Sequence, residues 1–495
     1  MTMNDMLTWL EENCGQTYGN FINGEWIASV SGESYEVYHA ANRRQVLGYF
    51  PNSGPQDVDL AVQFAHRAFP DWASTPGPTR GAILYRFAEL LGEHADELAF
   101  MLSAEQGKTL GESRGEVTRA IREVRFAAGE ASRVQGAVLP SERVSVQCSV
   151  GRHPIGVVAA IAPWNFPVVT PIRKIGPALA YGCTVVYKPA TVTPWTSTLI
   201  MKCLQAAGVP NGVVNLVVGT GSRVGDPLVQ NPLVHGITFT GSTKLGRQIN
   251  VTAAQRFART QLELGGKNPA IVLDYTNASE VATEIVAAAF ACSGQRCTAI
   301  SRVIVMRDKL PEVTESIIEQ VKRLKVGPAW EEGANLGPLI NEGHLNSVLS
   351  YIDIGRQEGA TLALGGQVLN TGTLADGCYL APTIFTNVAP SMRIAKEEIF
   401  GPVLSIIGVD TEDEAADVAN SVAYGLAASV FTNDLAKSKR FAAKLESGMV
   451  HINHGTASDA HVPFGGIKES GFGPFSIGNT NAEFFTEMKV VYEKF

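Results

Sequence analysis

Apolar residues fall into two kinds of run along this chain. Between residues 56 and 129 they recur at three- and four-residue spacings, as at Ile83, Leu84, Phe87, Leu90 and Leu91. That spacing belongs to a helix that packs one face and exposes the other, so this stretch is expected to be helical scaffold. From residue 157 the pattern changes to short β-rich runs at 157–162, 184–187, 213–218 and 236–240, with helical candidates between them at 172–180, 196–207 and 223–229. Uninterrupted apolar strands alternating with helices predict βαβ units and a parallel sheet covered on both faces. A second series runs through 270–273, 302–306, 403–409, 429–432 and 448–453, with a helix expected at 311–325. The fold class is therefore α/β, with a Rossmann-type half followed by a second α/β half.

Smaller elements frame these two. Asn23 and Gly24 form a turn signal between short β-like runs, which predicts a hairpin near residue 20. Alternation returns between residues 134 and 153, as at Val144, Val146 and Cys148, and predicts a strand pair that projects outward to join another subunit. A β-like end is expected at 487–492, and no repeat of fixed period is found.

Composition narrows the function classes. A chain of 495 residues, 45% hydrophobic and 18% charged, is globular and too long for one ordinary core. Its net charge of −8 gives no basic footprint, which argues against nucleic acid as a partner. Residues 1–14 carry Asp5, Glu11 and Glu12 and do not read as a secretory signal; they are expected to form a short surface helix. The apolar runs fall short of the roughly 18 residues that span a bilayer, so a soluble protein with no membrane partner is expected. Seven scattered cysteines suggest a reducing, cytoplasmic setting. Cys292 and Cys297 lack the C-x-x-C form of a metal site, and no metal is expected.

Ligands of open parallel sheets bind beyond the C-terminal strand ends. Here those ends carry Trp164 and Asn165, Lys188, Gly219, and Gly241 with Ser242. Gly241 and Ser242 close a strand and open a helix, where backbone N–H groups and the Ser242 hydroxyl can meet a phosphate; serine equally suits an ordinary N-cap. The stretch from Gly219 to Gly225 approximates G-x-G-x-x-G with its third glycine one residue late, which favours a plain strand-to-helix turn beside a cofactor. Lys188 reads as a ribose or phosphate ligand or as a solvated strand-end lysine. Glu263 lies at the junction of the two halves, where a lone glutamate is mostly surface charge. Asn165 sits between Pro163 and Pro167, which stiffen the chain; its amide can donate to a developing oxyanion or cap local backbone. The chemistry converges on Gly294, Gln295, Arg296, Cys297 and Thr298, a loop between a helix-like run at 281–292 and a strand-like run at 302–306. Loops on a rigid scaffold are where reactive groups usually sit, although a free cysteine is more often a small core residue.

Several motifs then agree. Pro163–Trp164–Asn165–Phe166–Pro167, Phe239–Thr240–Gly241–Ser242–Thr243, Glu263–Leu264–Gly265–Gly266–Lys267, Gly294–Gln295–Arg296–Cys297–Thr298, Glu397–Glu398–Ile399–Phe400–Gly401–Pro402 and Pro463–Phe464–Gly465–Gly466 stand in the order found in the aldehyde dehydrogenase superfamily. From about residue 20 to the C-terminus the chain resembles that family. The resemblance implies an NAD(P)-binding domain from residues 1–133 and 151–263, with part of 454–480 returning to it. It implies a catalytic domain at 264–453, and oligomerisation strands at 134–150 and 481–495 that make a homodimer or homotetramer. Cys297 would be the nucleophile, Glu263 the general base and Asn165 the oxyanion donor. Arg296 would favour the Cys297 thiolate, as cations near a cysteine do. Cofactor contacts would come from Trp164, Lys188, Gly241, Ser242, Leu264 and Glu398, with Phe400 near the nicotinamide.

The same resemblance bears on specificity. Thr191 stands where glutamate often accepts the adenosine ribose hydroxyls, so the cofactor is NADP or NAD, with NADP slightly favoured. Arg173, eight residues after Asn165, resembles the arginine that holds the substrate carboxylate in the succinate-semialdehyde dehydrogenase branch; its other reading is a surface ion pair. The Cys297 loop and the stretch from Tyr351 to Gly355 look more like the α-ketoglutaric-semialdehyde dehydrogenases. Phe166, Arg296, Ser458 and Phe464 are the remaining substrate-side candidates, and Asp459 is an unexpected negative charge nearby. The expected substrate is a short aldehyde bearing a carboxylate. A CoA-acylating relative and a crystallin-like structural protein are the alternatives.

Overall fold

The computed structural model describes residues 3–495. Its first large sheet has eight strands, in the order Gly471–Phe472, Arg259–Glu263, Val234–Thr240, Val157–Ile161, Thr184–Lys188, Val214–Leu216, Asn20–Ile22 and Glu25–Ile27. The five from Arg259–Glu263 to Val214–Leu216 run parallel, and helices cover both faces. Their apolar runs are buried throughout, as a two-sided sheet requires. Starting from Val157–Ile161, the chain builds two strands to one side and then returns to build two on the other. This reversal opens a crevice between the ends of Val157–Ile161 and Val234–Thr240, the place where such sheets bind ligands. Register aligns those ends, because Ile161 pairs with Lys188 and Thr240 with Glu263.

The expected hairpin closes one edge of this sheet. Asn23 and Gly24 take φ values of 53° and 83°, as a two-residue turn matched to strand twist needs. The second sheet has seven strands, in the order Thr361–Leu364, Thr383–Thr386, Val403–Val409, Ile300–Met306, Asn268–Val272, Ala427–Phe431 and Met449–Ile452. Arg302 is buried on one of its central strands and donates to the carbonyls of Lys267, Val418 and Ala419.

Ala137–Pro140, Val146–Pro154 and Thr486–Lys494 form a separate three-stranded sheet. The strand pair near 134–150 is thus present with different bounds. Val144, expected in a strand, lies in the turn and is 92% exposed, because register with Thr486–Lys494 starts pairing only at Val146. The N-terminal helix, Met3–Asn13, is docked and not merely superficial: Leu10 is buried and Trp9 stacks on Trp195. Among the described residues, no helix is long and apolar enough to cross a membrane.

Candidate active site

The Cys297 loop is built by a sharp reversal. Helix Ala278–Phe290 ends, and Cys292, Ser293 and Gly294 follow at φ values of 53°, 55° and 69°. Two non-glycine residues in the left-handed region cost roughly 1–3 kcal/mol each, so the surroundings must hold them. Cys292 N–H donates to Glu112 (2.6 Å) and Ser293 Oγ to the Gly337 carbonyl (2.7 Å). The Gln295 amide ties the Cys292 and Pro338 carbonyls to the Ile340 N–H. At Gly294, a Cβ would stand 2.2 Å from the Gly401 carbonyl oxygen, so only glycine fits. Asn268 Nδ2 then grips the Cys297 carbonyl at 2.7 Å. The loop presents Cys297 as a fixed group.

Cys297 opens onto a cleft of about 550 Å³ lined by Asn165, Phe166, Arg173, Glu263, Arg296, Ser458 and Phe464. A groove of about 820 Å³ lies elsewhere, around Arg307 and Glu414, without a cysteine or histidine in its lining. Asn165 arrives on a loop held from below. Buried Lys108 donates to the Asn165 carbonyl (2.8 Å), pairs with Glu116 (2.5 Å) and lies over the Phe166 ring. Glu116 in turn accepts from the N–H groups of Val168 and Val169, at the start of helix Val169–Tyr181. The Asn165 amide donates to the Gln295 carbonyl at 2.9 Å. An amide nitrogen carries two hydrogens, so one remains for the cleft.

Burial sets the ionisation of the reacting groups. The Cys297 thiol is pushed up to about 12, first by burial and then by the carboxylates of Glu398 and Glu263, against Arg173 and Arg296. Arg296 does pull towards the thiolate, as expected, but burial and the two carboxylates outweigh it. Arg296 spends its Nη2 on Thr298 Oγ1 and the Thr456 carbonyl. Glu263 is raised by burial against the pull of Arg173, Lys174 and Ser476. Its Oε1 accepts from Ser476 (3.1 Å), whereas Oε2 finds no partner among the described residues. Lys174 is lowered by burial and donates to Thr238 and Thr240.

The other candidates lie on the sheet side of Cys297. Gly265 and Gly266 pass between Cys297 and Glu398: a Cβ on Gly265 would meet Glu398 Oε2 at 2.3 Å, and one on Gly266 the Cys297 carbonyl oxygen at 2.4 Å. Glu398 accepts from Gly266 N–H (2.9 Å), and burial raises its carboxyl to about 7. Phe400, at φ 57°, meets Trp164 edge-on with ring centres 5.4 Å apart. Its carbonyl lies 2.7 Å from His344 Nε2, which must therefore be the protonated ring nitrogen. Gly241 N–H donates to the Glu263 carbonyl, Leu264 N–H to Ser470, and Ser242 Oγ accepts from Leu245 as an N-cap. Lys188 is buried and donates to the Pro189 carbonyl, so the solvated reading fails. Thr191 donates to the Gly219 carbonyl at 3.3 Å. The Gly219 stretch becomes a wide turn, Gly221–Gly225, before helix Asp226–Gln230.

The structure thus gathers Cys297, Glu263, Asn165 and the substrate-side candidates in one cleft. Trp164, Lys188, Thr191, Gly241, Ser242, Leu264, Glu398 and Phe400 lie outside that lining, along strand ends and adjoining loops. Sequence reasoning missed Lys108, Glu116, Lys174, Ser476, His344, Arg119 and Glu123. The first two offered a signal, as a lysine and glutamate eight residues apart across the Thr109 helix cap. Arg173 is no surface residue: it forms a two-pronged pair with Glu123 and lies 4.7 Å from the Phe464 ring centre.

Comparison with known proteins gives a consistent picture. The model of the aldehyde dehydrogenase family matches residues 26–491. The alpha-ketoglutaric semialdehyde dehydrogenase of Bacillus subtilis (strain 168) is 42% identical over 479 residues, covering 97% of this chain and 98% of that protein. The NADP(+) succinate-semialdehyde dehydrogenase of Escherichia coli (strain K12) is 37% identical, covering 91% of this chain and 93% of its own. A solved betaine aldehyde dehydrogenase from Staphylococcus aureus, in complex with NAD+, superposes with a TM-score of 0.96 at 33% identity, over 99% of this chain and 97% of that one.

Proposed function

Because the chain belongs to the aldehyde dehydrogenase family, we propose that its cleft oxidises a short, carboxylate-bearing semialdehyde to the acid through Cys297. The carrying observation is the enclosure of Cys297, Asn165 and Glu263 in one cleft, with Glu263 Oε2 unpartnered. α-Ketoglutaric semialdehyde and succinate semialdehyde are the substrates in the names of two of these relatives, and they are the ones we propose.

The strand-end residues fit a nicotinamide dinucleotide. Ser242 opens the helix Thr243–Ala254 beside the sheet's crevice, which suits a phosphate, and the buried Glu398 carboxyl at the Gly265 gap suits ribose hydroxyls. When bound, such a group supplies a hydride acceptor. Cys297 passes its proton to water as Sγ attacks the aldehyde carbon, forming a thiohemiacetal whose oxyanion is held by the free Asn165 N–H and the Cys297 backbone N–H. Oxidation leaves a thioester on Sγ. Glu263 then takes a proton from water through Oε2, and the hydroxide releases the acid and the thiol. Glu263 favours hydrolysis over CoA acylation; product analysis with and without CoA separates the two.

For the dinucleotide, Thr191 in place of an acidic residue admits a 2′-phosphate, so NADP is slightly favoured over NAD. The eight-stranded sheet would carry the dinucleotide and the seven-stranded sheet the nucleophile. The three-stranded sheet exposes Met488, Val490 and Tyr492 along one face, which suits a second copy in a homodimer or homotetramer. Seven free cysteines suit a cytoplasmic setting. The test is kcat/KM for 2,5-dioxopentanoate and succinate semialdehyde against pentanal and butanal, with each dinucleotide. Preference for the charged aldehydes supports the reading; equal or better neutral aldehydes defeat it.

A further inference from the structure

Three charged side chains meet on one wall of the cleft. Glu123 accepts from Arg173 through both oxygens, Nη2 to Oε1 at 2.9 Å and Nε to Oε2 at 3.2 Å. The same Oε1 accepts from Arg119 Nε at 2.8 Å. Two guanidiniums therefore share one carboxylate, and the group keeps a charge of +1. Arg122 and Arg296 also line the cleft, and Asp459 is an exposed, partial counter-charge near Arg119.

The two arginines differ in what they have left. Arg173 has committed its Nε/Nη2 edge to Glu123 and its face to Phe464. Arg119 has committed only Nε. Its Nη2 is buried and finds no acceptor among the described residues. Its side chain retains 18% of its exposure and lines the cleft that also holds Cys297 and Glu263. A buried guanidinium nitrogen without an acceptor is costly, and the free Nη1/Nη2 edge matches a carboxylate in two-pronged fashion.

Resting on the reading of a carboxylate-bearing aldehyde, we propose that Arg119 holds the substrate's remote carboxylate through its free Nη1/Nη2 edge, while Glu123 and Arg173 position it. Arg173 then acts on specificity through Glu123 and not by direct contact. Within the trio of Arg119, Glu123 and Arg173, the bound carboxylate sets two negative charges against two positive ones. The aldehyde end is left to Cys297.

The experiment measures the ratio of kcat/KM for 2,5-dioxopentanoate to that for pentanal, in the full-length enzyme and in Arg119→Met, Arg119→Lys and Arg173→Lys. Losing one charged partner of a paired carboxylate lowers affinity by about 30-fold or more, so the ratio should fall by that factor in Arg119→Met. The loss should appear mainly in KM, as expected when a contact serves ground state and transition state alike. Arg119→Lys keeps the charge and its link to Glu123 but loses the fork, and should lower the ratio less. If Arg119→Met does not fold, Arg119→Lys decides alone: a reduced ratio supports the assignment and an unchanged ratio overturns it. A fall in Arg173→Lys with none in Arg119→Lys also overturns it. If the unmodified enzyme itself shows no preference for 2,5-dioxopentanoate, the substrate reading has failed instead.

Discussion

The two ends of the cleft solve the burial of charge in opposite ways. At the Cys297 end, charges are suppressed: the thiol is pushed up to about 12 and the Glu263 carboxyl is also raised, each by burial first. At the arginine end, charges persist because Glu123 sits between Arg119 and Arg173. Desolvation disfavours an ionised group unless opposite charge or hydrogen bonds compensate it. At the reacting end Arg173, Lys174, Arg296 and Ser476 compensate only in part, and burial outweighs them. At the binding end Glu123 is shared by Arg119 and Arg173. One end is therefore poised to transfer protons and the other to hold an anion.

This contrast can be broken at either end. Cys297→Ala should lower turnover by more than about 10⁴-fold with any aldehyde, as loss of a covalent nucleophile does. Next, Glu263→Gln should lower steady-state turnover by roughly 10²–10⁴-fold, the usual worth of a general base, while keeping a rapid first-turnover burst in stopped-flow absorbance. Asn165→Ala removes one oxyanion donor and should cost about 10²–10³-fold in kcat, measured at saturating aldehyde. The smallest effect concerns pH. Because the Cys297 thiol is raised, its thiolate fraction keeps growing at pH 10, where a free cysteine with a pKa of about 8.5 is almost fully ionised. Iodoacetamide alkylation of Cys297, followed by peptide mass spectrometry, should still be accelerating at pH 10. A plateau near pH 8 would restore the resting thiolate. Glu263 carries the matching sign: its raised carboxyl makes thioester release faster as pH rises through a value above the ordinary carboxylate range.

How much of this could be read beforehand depends on range in sequence. Continuous apolar runs marked the parallel strands, and strand ends pointed to Trp164, Lys188 and Gly241, because burial on both faces leaves a strong local signal. Asn23 and Gly24 fixed the hairpin by turn chemistry alone. The Arg119–Glu123 link was hidden in a helix rich in charge, where a pair four residues apart reads as a solvated face. Its meaning appears only when Arg173, 50 residues on, docks against it. His344 and Phe400 are 56 residues apart, and nothing local to either announces their contact. The left-handed run at Cys292 and Ser293 also escaped notice, since those residues disfavour that geometry and Glu112, Gly337 and Gln295 impose it from outside. Val144 failed for the reverse reason: alternation marked a strand, but pairing with Thr486–Lys494 sets where the strand begins.

The most direct test of Cys297 as the covalent centre is the mass of Glu263→Gln, quenched in acid after mixing with 2,5-dioxopentanoate and NADP. The account predicts one acyl increment per chain, mapped to Cys297, with about one reduced dinucleotide formed for each. An increment mapped to Cys292, which lines the same cleft, or a full burst with no increment anywhere, would contradict it.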